Sequence, residues 1–164
     1  MHMDKRVKEF VIKVVKGDIT DLDFEAFVFY ARPDLKLGTG FGGAIAVRGG
    51  AAIQKELDQA GPLSVTEAVA TGAGNLKARH IIHAVGPRFQ EPDQETKLKR
   101  TIHSCLKVAE EKGITQVAFP AMGAGFYGIP LDVCSKLCVE AVTEYLDGRS
   151  TIREVVFCLN DARE

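Results

Sequence analysis

Residues 37–45 read LGTGFGGAI, and residues 122–128 read MGAGFYG. Each glycine-rich segment follows a strand-like run and precedes a helix-like run. Glycine lets backbone N–H groups approach a ligand closely, and the N-terminus of a following helix favours a bound anion. One such loop is equally consistent with an ordinary turn, but two of them predict a diphosphate held by main-chain amides.

The composition is typical of a soluble globular protein. The 164 residues are 46% hydrophobic and 26% charged, which predicts a single domain over residues 1–164. Because the sequence has neither an apolar run long enough to span a membrane nor an apolar secretory leader, we expect a cytoplasmic protein. The net charge of -1 argues against a broad nucleic-acid-binding surface, so any nucleotide ligand should be small.

The cysteines and histidines do not indicate a metal site or a cofactor. His80 and His83 lie three residues apart on a predicted strand, so they face opposite sides of the sheet and cannot share a metal. The cysteines form no CxxC pair and lie among apolar residues, which predicts reduced core thiols. They are Cys105, Cys134, Cys138 and Cys158.

The hydrophobic pattern predicts an α/β fold: a three-layer α/β/α sandwich with a central mixed β-sheet. Strands are predicted at 10–15, 26–30, 66–71, 79–85, 116–119 and 154–159. Helices are predicted at 43–60, with a break at 49–50, at 94–112, and after Pro130. Asn160 or Asp161 would cap a further helix, and two alternatives stay open: this helix is absent from the protein, or the sequence is truncated before it.

Three turns are predicted to meet at the carboxyl ends of the strands, where α/β proteins bind ligands. They cover residues 17–20, 32–43 and 121–128. The Asp18 carboxylate suits an exocyclic amine such as that of adenine, and the Ile19 N–H suits a ring nitrogen. On spacing alone, a capping role for Asp18 is favoured. Phe126 and Tyr127 either cover a ribose or plug the end of the sheet.

Other nucleotide-binding and catalytic patterns do not fit. Gly38-x-Gly40-x-x-Gly43 has the spacing of a dinucleotide fingerprint, but it is separated from its strand and lacks the later acidic residue. Neither loop has the Lys-Ser/Thr pair of a nucleoside triphosphatase. No serine or cysteine has the motif of a covalent nucleophile.

Four motifs together resemble the macrodomain family, of the Appr-1-p processing type. They are VKGDIT at 15–20, GTGFGGAI at 38–45, IIHAVGP at 81–87 and FPAMGAGFYG at 119–128. The resemblance implies ADP-ribose binding, with Asp18 and Ile19 at the adenine and the glycine loops around the diphosphate and distal ribose. The loop residues assigned to the ligand are Gly38, Thr39, Gly40, Phe41, Gly42, Gly123, Ala124, Gly125, Phe126 and Tyr127.

The sequence departs from the family pattern at positions that matter for hydrolysis. Where macrodomains usually have Asn-Ala-Ala-Asn, this chain has Phe29-Tyr30-Ala31-Arg32, so Phe29 replaces the asparagine that holds the distal ribose. Gly42 replaces the aspartate of hydrolytic members, which leaves no general base there. Asn160 stands where an aromatic residue often stacks on the adenine.

These departures predict binding of ADP-ribose, or of a related adenine nucleotide diphosphate, without efficient hydrolysis and with no catalytic residue assigned. The expected ligand is either free or attached to a protein. One alternative is a hydrolase for mono-ADP-ribose or ADP-ribose-1''-phosphate, with water positioned by the substrate. Another is a ligand-free interaction scaffold, with Phe29 and Phe41 filling the cleft. Arg32 either pairs with a phosphate or is a surface residue before Pro33.

Overall fold

The computed structural model describes residues 3–7, 10–38, 40–88, 91–120, 131–146 and 150–159. These contain seven strands in one sheet, in the order β1-β2-β7-β6-β3-β5-β4. The strands are β1 (Met3–Val7), β2 (Phe10–Lys16), β3 (Ala26–Tyr30), β4 (Ala68–Gly72), β5 (His80–Ala84), β6 (Gln116–Phe119) and β7 (Glu154–Leu159). The five central strands are parallel, and β1 and β4 are antiparallel edges.

In the part of the chain that the structure describes, four α-helices cover the two faces of this sheet. They are α1 (Gly40–Gly49), α2 (Ala51–Ala60), α3 (Gln94–Glu111) and α4 (Leu131–Leu146). Ile45 and Ile53 of α1 and α2 pack in one core cluster with Phe27 of β3. Residues of α3 and α4, including Ile102 and Val142, form the core on the other face. The predicted three-layer α/β/α sandwich with a mixed sheet is therefore confirmed.

Alternation along the central strands explains why both faces are buried. Phe27 enters the core under α1 and α2, whereas its neighbours Ala26 and Val28 enter the core under α3 and α4. All three side chains are completely buried. A strand that is covered on both faces buries side chains on both sides, so apolar and polar residues do not alternate along it. This explains why β3 is a continuous apolar run.

Several element boundaries differ from the sequence-based expectation. α1 begins at Gly40 rather than near Gly43, and β4 begins at Ala68 rather than at residue 66. The predicted helix break is confirmed, because Gly50, whose φ is 94°, separates α1 from α2. β1 was not predicted, because its polar sequence MDKRV forms a strand through pairing with β2. Among the described residues, no helix is both long and apolar enough to cross a membrane.

Candidate functional site

The carboxyl ends of the five parallel strands lie at one edge of the sheet and define the candidate site. β2 leads there into the turn that contains Asp18, and β3 leads into the first glycine-rich loop. β6 leads toward residues 121–130, which lie outside the described residues. The described part of the site is therefore built by the segments after β2 and β3 and by the helix α1.

Asp18 caps the short 3-10 helix Ile19–Asp21, as its spacing predicted. Its Oδ1 accepts hydrogen bonds from the Thr20 amide at 2.9 Å and from the Thr20 hydroxyl at 2.7 Å. The hydrogen bond from the Thr20 hydroxyl is the largest cause that holds the pKa of Asp18 below its usual value, and the Arg48 guanidinium lowers it further. Asp18 is consequently an ionised acceptor at the end of β2.

Arg48, which sequence reasoning missed, links this turn to α1. Its Nη1 donates to Asp18 Oδ2 at 3.0 Å and to Thr20 Oγ1 at 2.8 Å. The Asp18 and Arg48 side chains remain 36% and 50% exposed. Arg48 belongs to none of the recognised motifs and lies 30 residues from Asp18, so no local signal identified the contact.

The first glycine-rich loop has the backbone geometry that its sequence predicted. Gly38 and Gly40 adopt φ values of 64° and 63°, in the left-handed region that glycine enters without steric cost. The loop leads directly into the N-terminus of α1, whose first amides have no partners within the helix. Thr39 and the side chain of Phe41 lie outside the described residues.

A second contact missed by sequence reasoning holds this loop in place. The Gln54 side chain on α2 accepts a hydrogen bond from the Leu37 amide at 2.9 Å and donates to the Leu35 carbonyl at 3.0 Å. Leu35 and Leu37 are themselves buried. The amide of Gln54 therefore pairs two backbone groups that the irregular loop would otherwise leave without secondary-structure partners.

Phe29 and Gly42 lie next to each other in the structure. A Cβ atom added to Gly42 would overlap the Leu37 carbonyl oxygen and would lie 3.1 Å from Phe29 Cζ. Phe29 also packs edge-on against His83, with ring centroids 6.0 Å apart. The position where the family resemblance places an aspartate thus has no room for a side chain in this arrangement.

His83 is completely buried beneath this part of the site. Its Nε2 lies 2.9 Å from Thr71 Oγ1, and that hydroxyl donates to the Gly72 carbonyl at 2.8 Å. Because the Thr71 hydrogen is used, His83 Nε2 is the donor and Nδ1 carries the lone pair, for which the described residues provide no hydrogen-bond partner. Burial lowers the pKa of His83 to about 4, so the ring is neutral at pH 7.

Arg32 lies over the first glycine-rich loop. Its Nη1 would be 3.1 Å from a Cβ atom on Gly38, and its Nη2 donates to Asp34 Oδ2 at 2.7 Å. The Arg32 side chain is 60% exposed, so its remaining N–H groups are open to an approaching anion. The geometry is compatible with both roles considered for Arg32, the surface ion pair and the phosphate contact.

The sequence model of the Macro domain family matches residues 31–138, which are more than half of the chain. The chain belongs to the macrodomain family.

Curated relatives match this macrodomain over most of its length. An uncharacterised protein of Saccharolobus solfataricus is 39% identical over 90% of this chain and 84% of its own length. A macro domain-containing protein of Caldanaerobacter subterraneus is 38% identical over 93% of this chain and 90% of its own length. A Pantoea vagans protein named O-acetyl-ADP-ribose deacetylase 1 is 36% identical, with 92% of each chain covered.

Solved macrodomains have the same fold. A variant of the Oceanobacillus iheyensis macrodomain, solved with ADPR, superposes with a TM-score of 0.91 at 26% identity, over 99% of this chain and 92% of that one. The Trypanosoma brucei macrodomain in complex with ADP-ribose gives a TM-score of 0.83 at 25% identity, over 92% of this chain and 64% of the other.

Several assigned ligand residues fall outside the described part of this macrodomain. They are Gly123, Ala124, Gly125, Phe126 and Tyr127 of the second glycine-rich loop, and Asn160 after β7. Their roles stay predictions. Asp18, Ile19, Gly38, Gly40 and Gly42 are described and lie in the two segments that follow β2 and β3.

Among the described residues, no group of three or more His, Cys, Asp or Glu side chains could hold a metal ion. His80 and His83 lie three residues apart on β5, as predicted. Cys105 is a free thiol in the core, and burial raises its pKa. Cys138 and Cys158 are buried as well, whereas the Cys134 side chain lies outside the described residues.

Proposed function

We propose that this macrodomain binds ADP-ribose, or a related adenine nucleotide diphosphate, at the carboxyl ends of its strands without efficient hydrolysis. The observation that carries the proposal is the likeness to macrodomains solved with ADPR and with ADP, at a TM-score of 0.91 over 99% of the chain. The ligand binds free or as a group attached to a protein. A cytoplasmic location is part of the proposal, supported by the free core thiol Cys105.

At the adenine end, Asp18 supports the proposal because its carboxylate is ionised and fixed. Thr20 and Arg48 supply three hydrogen bonds to its two oxygens. A carboxylate can accept about four such bonds, so Asp18 still has room for the exocyclic amine of adenine. Ile19 is buried beside it and would present its backbone N–H to a ring nitrogen.

At the diphosphate, the first glycine-rich loop supplies backbone amides and the N-terminus of α1. The loop amides favour a bound anion because no glycine side chain blocks its approach. The N-terminus of α1 favours the anion through the helix dipole. Arg32 adds a positive charge at Gly38. The second glycine-rich loop completes the cradle in this proposal.

At the distal end, the proximity of Phe29 to Gly42 supports binding without efficient turnover. A general base must reach the proton that it removes, directly or through one water. Gly42 has no carboxylate and no space for one, and the Phe29 ring occupies the adjacent position. Neither residue carries a polar side-chain group that could activate water.

Calorimetric titration with ADP-ribose, ADP, AMP and NAD tests the binding proposal. We expect saturable heat with ADP-ribose and a matching rise in the melting temperature, because a ligand that binds only the native state stabilises it. Absence of heat and of a thermal shift with all four ligands would reject the proposal. It would favour the ligand-free scaffold instead.

Asp18→Ala and Asp21→Ala form a matched pair for this titration. Both remove a carboxylate from the same 3-10 helix, but only Asp18 caps the turn and binds Arg48. We expect Asp18→Ala to weaken ADP-ribose at least tenfold and Asp21→Ala to leave it unchanged. Loss of the cap costs stability as well, by about 1 kcal/mol, so the melting temperature is recorded for each variant.

A hydrolase is the second candidate function, and it is favoured by the relative named O-acetyl-ADP-ribose deacetylase 1. In this case a phosphate of the substrate would position the attacking water. The test incubates the protein with mono-ADP-ribosylated protein, with ADP-ribose-1''-phosphate and with O-acetyl-ADP-ribose. Product formation above the buffer rate would overturn the claim of inefficient turnover while leaving the binding proposal intact.

A further inference from the structure

Arg48 forms the link between α1 and the turn that contains Asp18. Both hydrogens of its Nη1 are used, one on Asp18 Oδ2 and one on Thr20 Oγ1. Thr20 in turn donates twice to Asp18 Oδ1. The three residues thus form a closed network in which each side chain contacts the other two.

The network leaves one acceptor position on the Asp18 carboxylate. Each oxygen of a carboxylate has about two lone-pair positions. Both positions of Oδ1 are occupied by Thr20, whereas Oδ2 accepts only from Arg48 within the described residues. The remaining position lies on Oδ2, the oxygen that Arg48 holds.

Thr20 alone does not determine where this position points. Its two hydrogen bonds meet at Oδ1, and the terminal torsion of an aspartate side chain is broad. A hydrogen bond to the second oxygen fixes the plane of the carboxylate. Arg48 provides that bond from a regular helix rather than from a loop.

The exposure of the pair indicates that its main role is not stability. Asp18 and Arg48 are 36% and 50% exposed, and ion pairs with such exposure contribute little to the free energy of unfolding. α1 also begins in the first glycine-rich loop, and a rise of about 12 Å separates Gly40 from Arg48. The helix therefore connects the phosphate end of the site with Asp18.

We propose that Arg48 is a positioning residue for base recognition, which directs the free acceptor position of Asp18 toward a purine 6-amino group. The proposal rests on the proposed function, since it assumes that the ligand is an adenine nucleotide. A 6-amino group donates to Oδ2, whereas a 6-oxo group presents a second acceptor to a fixed carboxylate. Arg48 thereby selects adenine over hypoxanthine.

The experiment compares ADP-ribose with its hypoxanthine analogue by calorimetry. The wild type should prefer ADP-ribose about tenfold or more. In Arg48→Ala we expect this preference to fall at least fivefold, because the carboxylate can turn away from the 6-oxo group. Arg48→Lys should restore part of the preference, since lysine supplies one charged donor without the planar fork.

Lys55→Ala is the matched control, because it removes an exposed positive charge from the neighbouring helix α2 without touching Asp18. The proposal is overturned if Arg48→Ala keeps the wild-type base preference, or if Lys55→Ala reduces the preference equally. If Arg48→Ala does not fold, Arg48→Met decides, since methionine keeps a long aliphatic side chain but donates no hydrogen bond to Asp18 and should also lower the preference. Failure of the wild type to bind ADP-ribose would instead reject the proposed function.

Discussion

Phe29 Cζ lies 3.1 Å from the point where a Cβ atom on Gly42 would stand. The two residues come from β3 and from the first turn of α1, and each limits what the other position can hold. Phe29 fills space beside Gly42, and the Leu37 carbonyl fills the rest. The two departures from the family pattern are therefore neighbours in three dimensions.

Gly42→Ala should destabilise the protein despite the better helix propensity of alanine. Its Cβ would overlap the Leu37 carbonyl, so the loop must move, and overpacking of this kind costs about 1–3 kcal/mol. Urea unfolding measures the change. Val47→Ala, at an 86% exposed position of the same helix, is the control and should stay within about 0.5 kcal/mol of wild type.

Gly42→Ala in a Phe29→Ala background separates the effect of the Phe29 ring from the effect of the Leu37 carbonyl. Removal of the ring eliminates the 3.1 Å contact but leaves the overlap with the Leu37 carbonyl. We therefore expect Gly42→Ala to cost nearly as much in this background as in the wild type. If the cost disappears, Phe29 rather than the backbone limits position 42.

Gln54→Ala should loosen the first glycine-rich loop. It leaves the Leu37 amide and the Leu35 carbonyl without the partners described above, and each unsatisfied buried group costs about 1–3 kcal/mol. Hydrogen exchange at the Leu37 amide should accelerate, and ADP-ribose should bind more weakly. Gln59→Ala, at an exposed position of α2, should change neither quantity, and equal effects of the two variants would contradict this role for Gln54.

The sequence predicted the sheet better than the site because strands and glycine turns leave local signals. β3, β6 and β7 match their predicted bounds, since each is a short apolar run between turn residues. Gly40 to Gly42 were not predicted as helix because glycine has low helix propensity, which tertiary contacts overrode here. Arg48 and Gln54 contact residues 28 to 30 and 17 to 19 positions away, so no local pattern indicates their roles.

Buried His83 should make the protein less stable in mild acid. Its pKa falls from 6.5 to about 4 on folding, so between these values the unfolded chain binds a proton that the native protein excludes. The contribution of the neutral ring is fully present above pH 6.5 and is lost as the pH falls toward 4, to a total of about 3 kcal/mol.

Urea unfolding at pH 7.5 and pH 5 measures this dependence. His83→Leu should flatten it, because leucine has no proton to bind and the Thr71 hydroxyl keeps its bond to the Gly72 carbonyl. His80→Gln, on the same strand, should keep the wild-type dependence because His83 is still present. An unchanged difference between the two pH values in His83→Leu would show that another group is responsible.

Arg32 provides a test of how the diphosphate is held. If its guanidinium contacts a phosphate, Arg32→Ala should weaken ADP-ribose about tenfold, equivalent to ~1.4 kcal/mol. Asp34→Asn should strengthen binding, because it removes the competing charge while keeping an oxygen for the Lys36 amide. Lys36→Ala is the control. Lys36 lies with Arg32 between β3 and α1, but its side chain pairs with Asp58 of α2 at 3.2 Å. Calorimetry at two salt concentrations measures all three variants. Equal losses in Arg32→Ala and Lys36→Ala would mean that Arg32 contributes only general surface charge, because both variants remove one exposed cation from the loop.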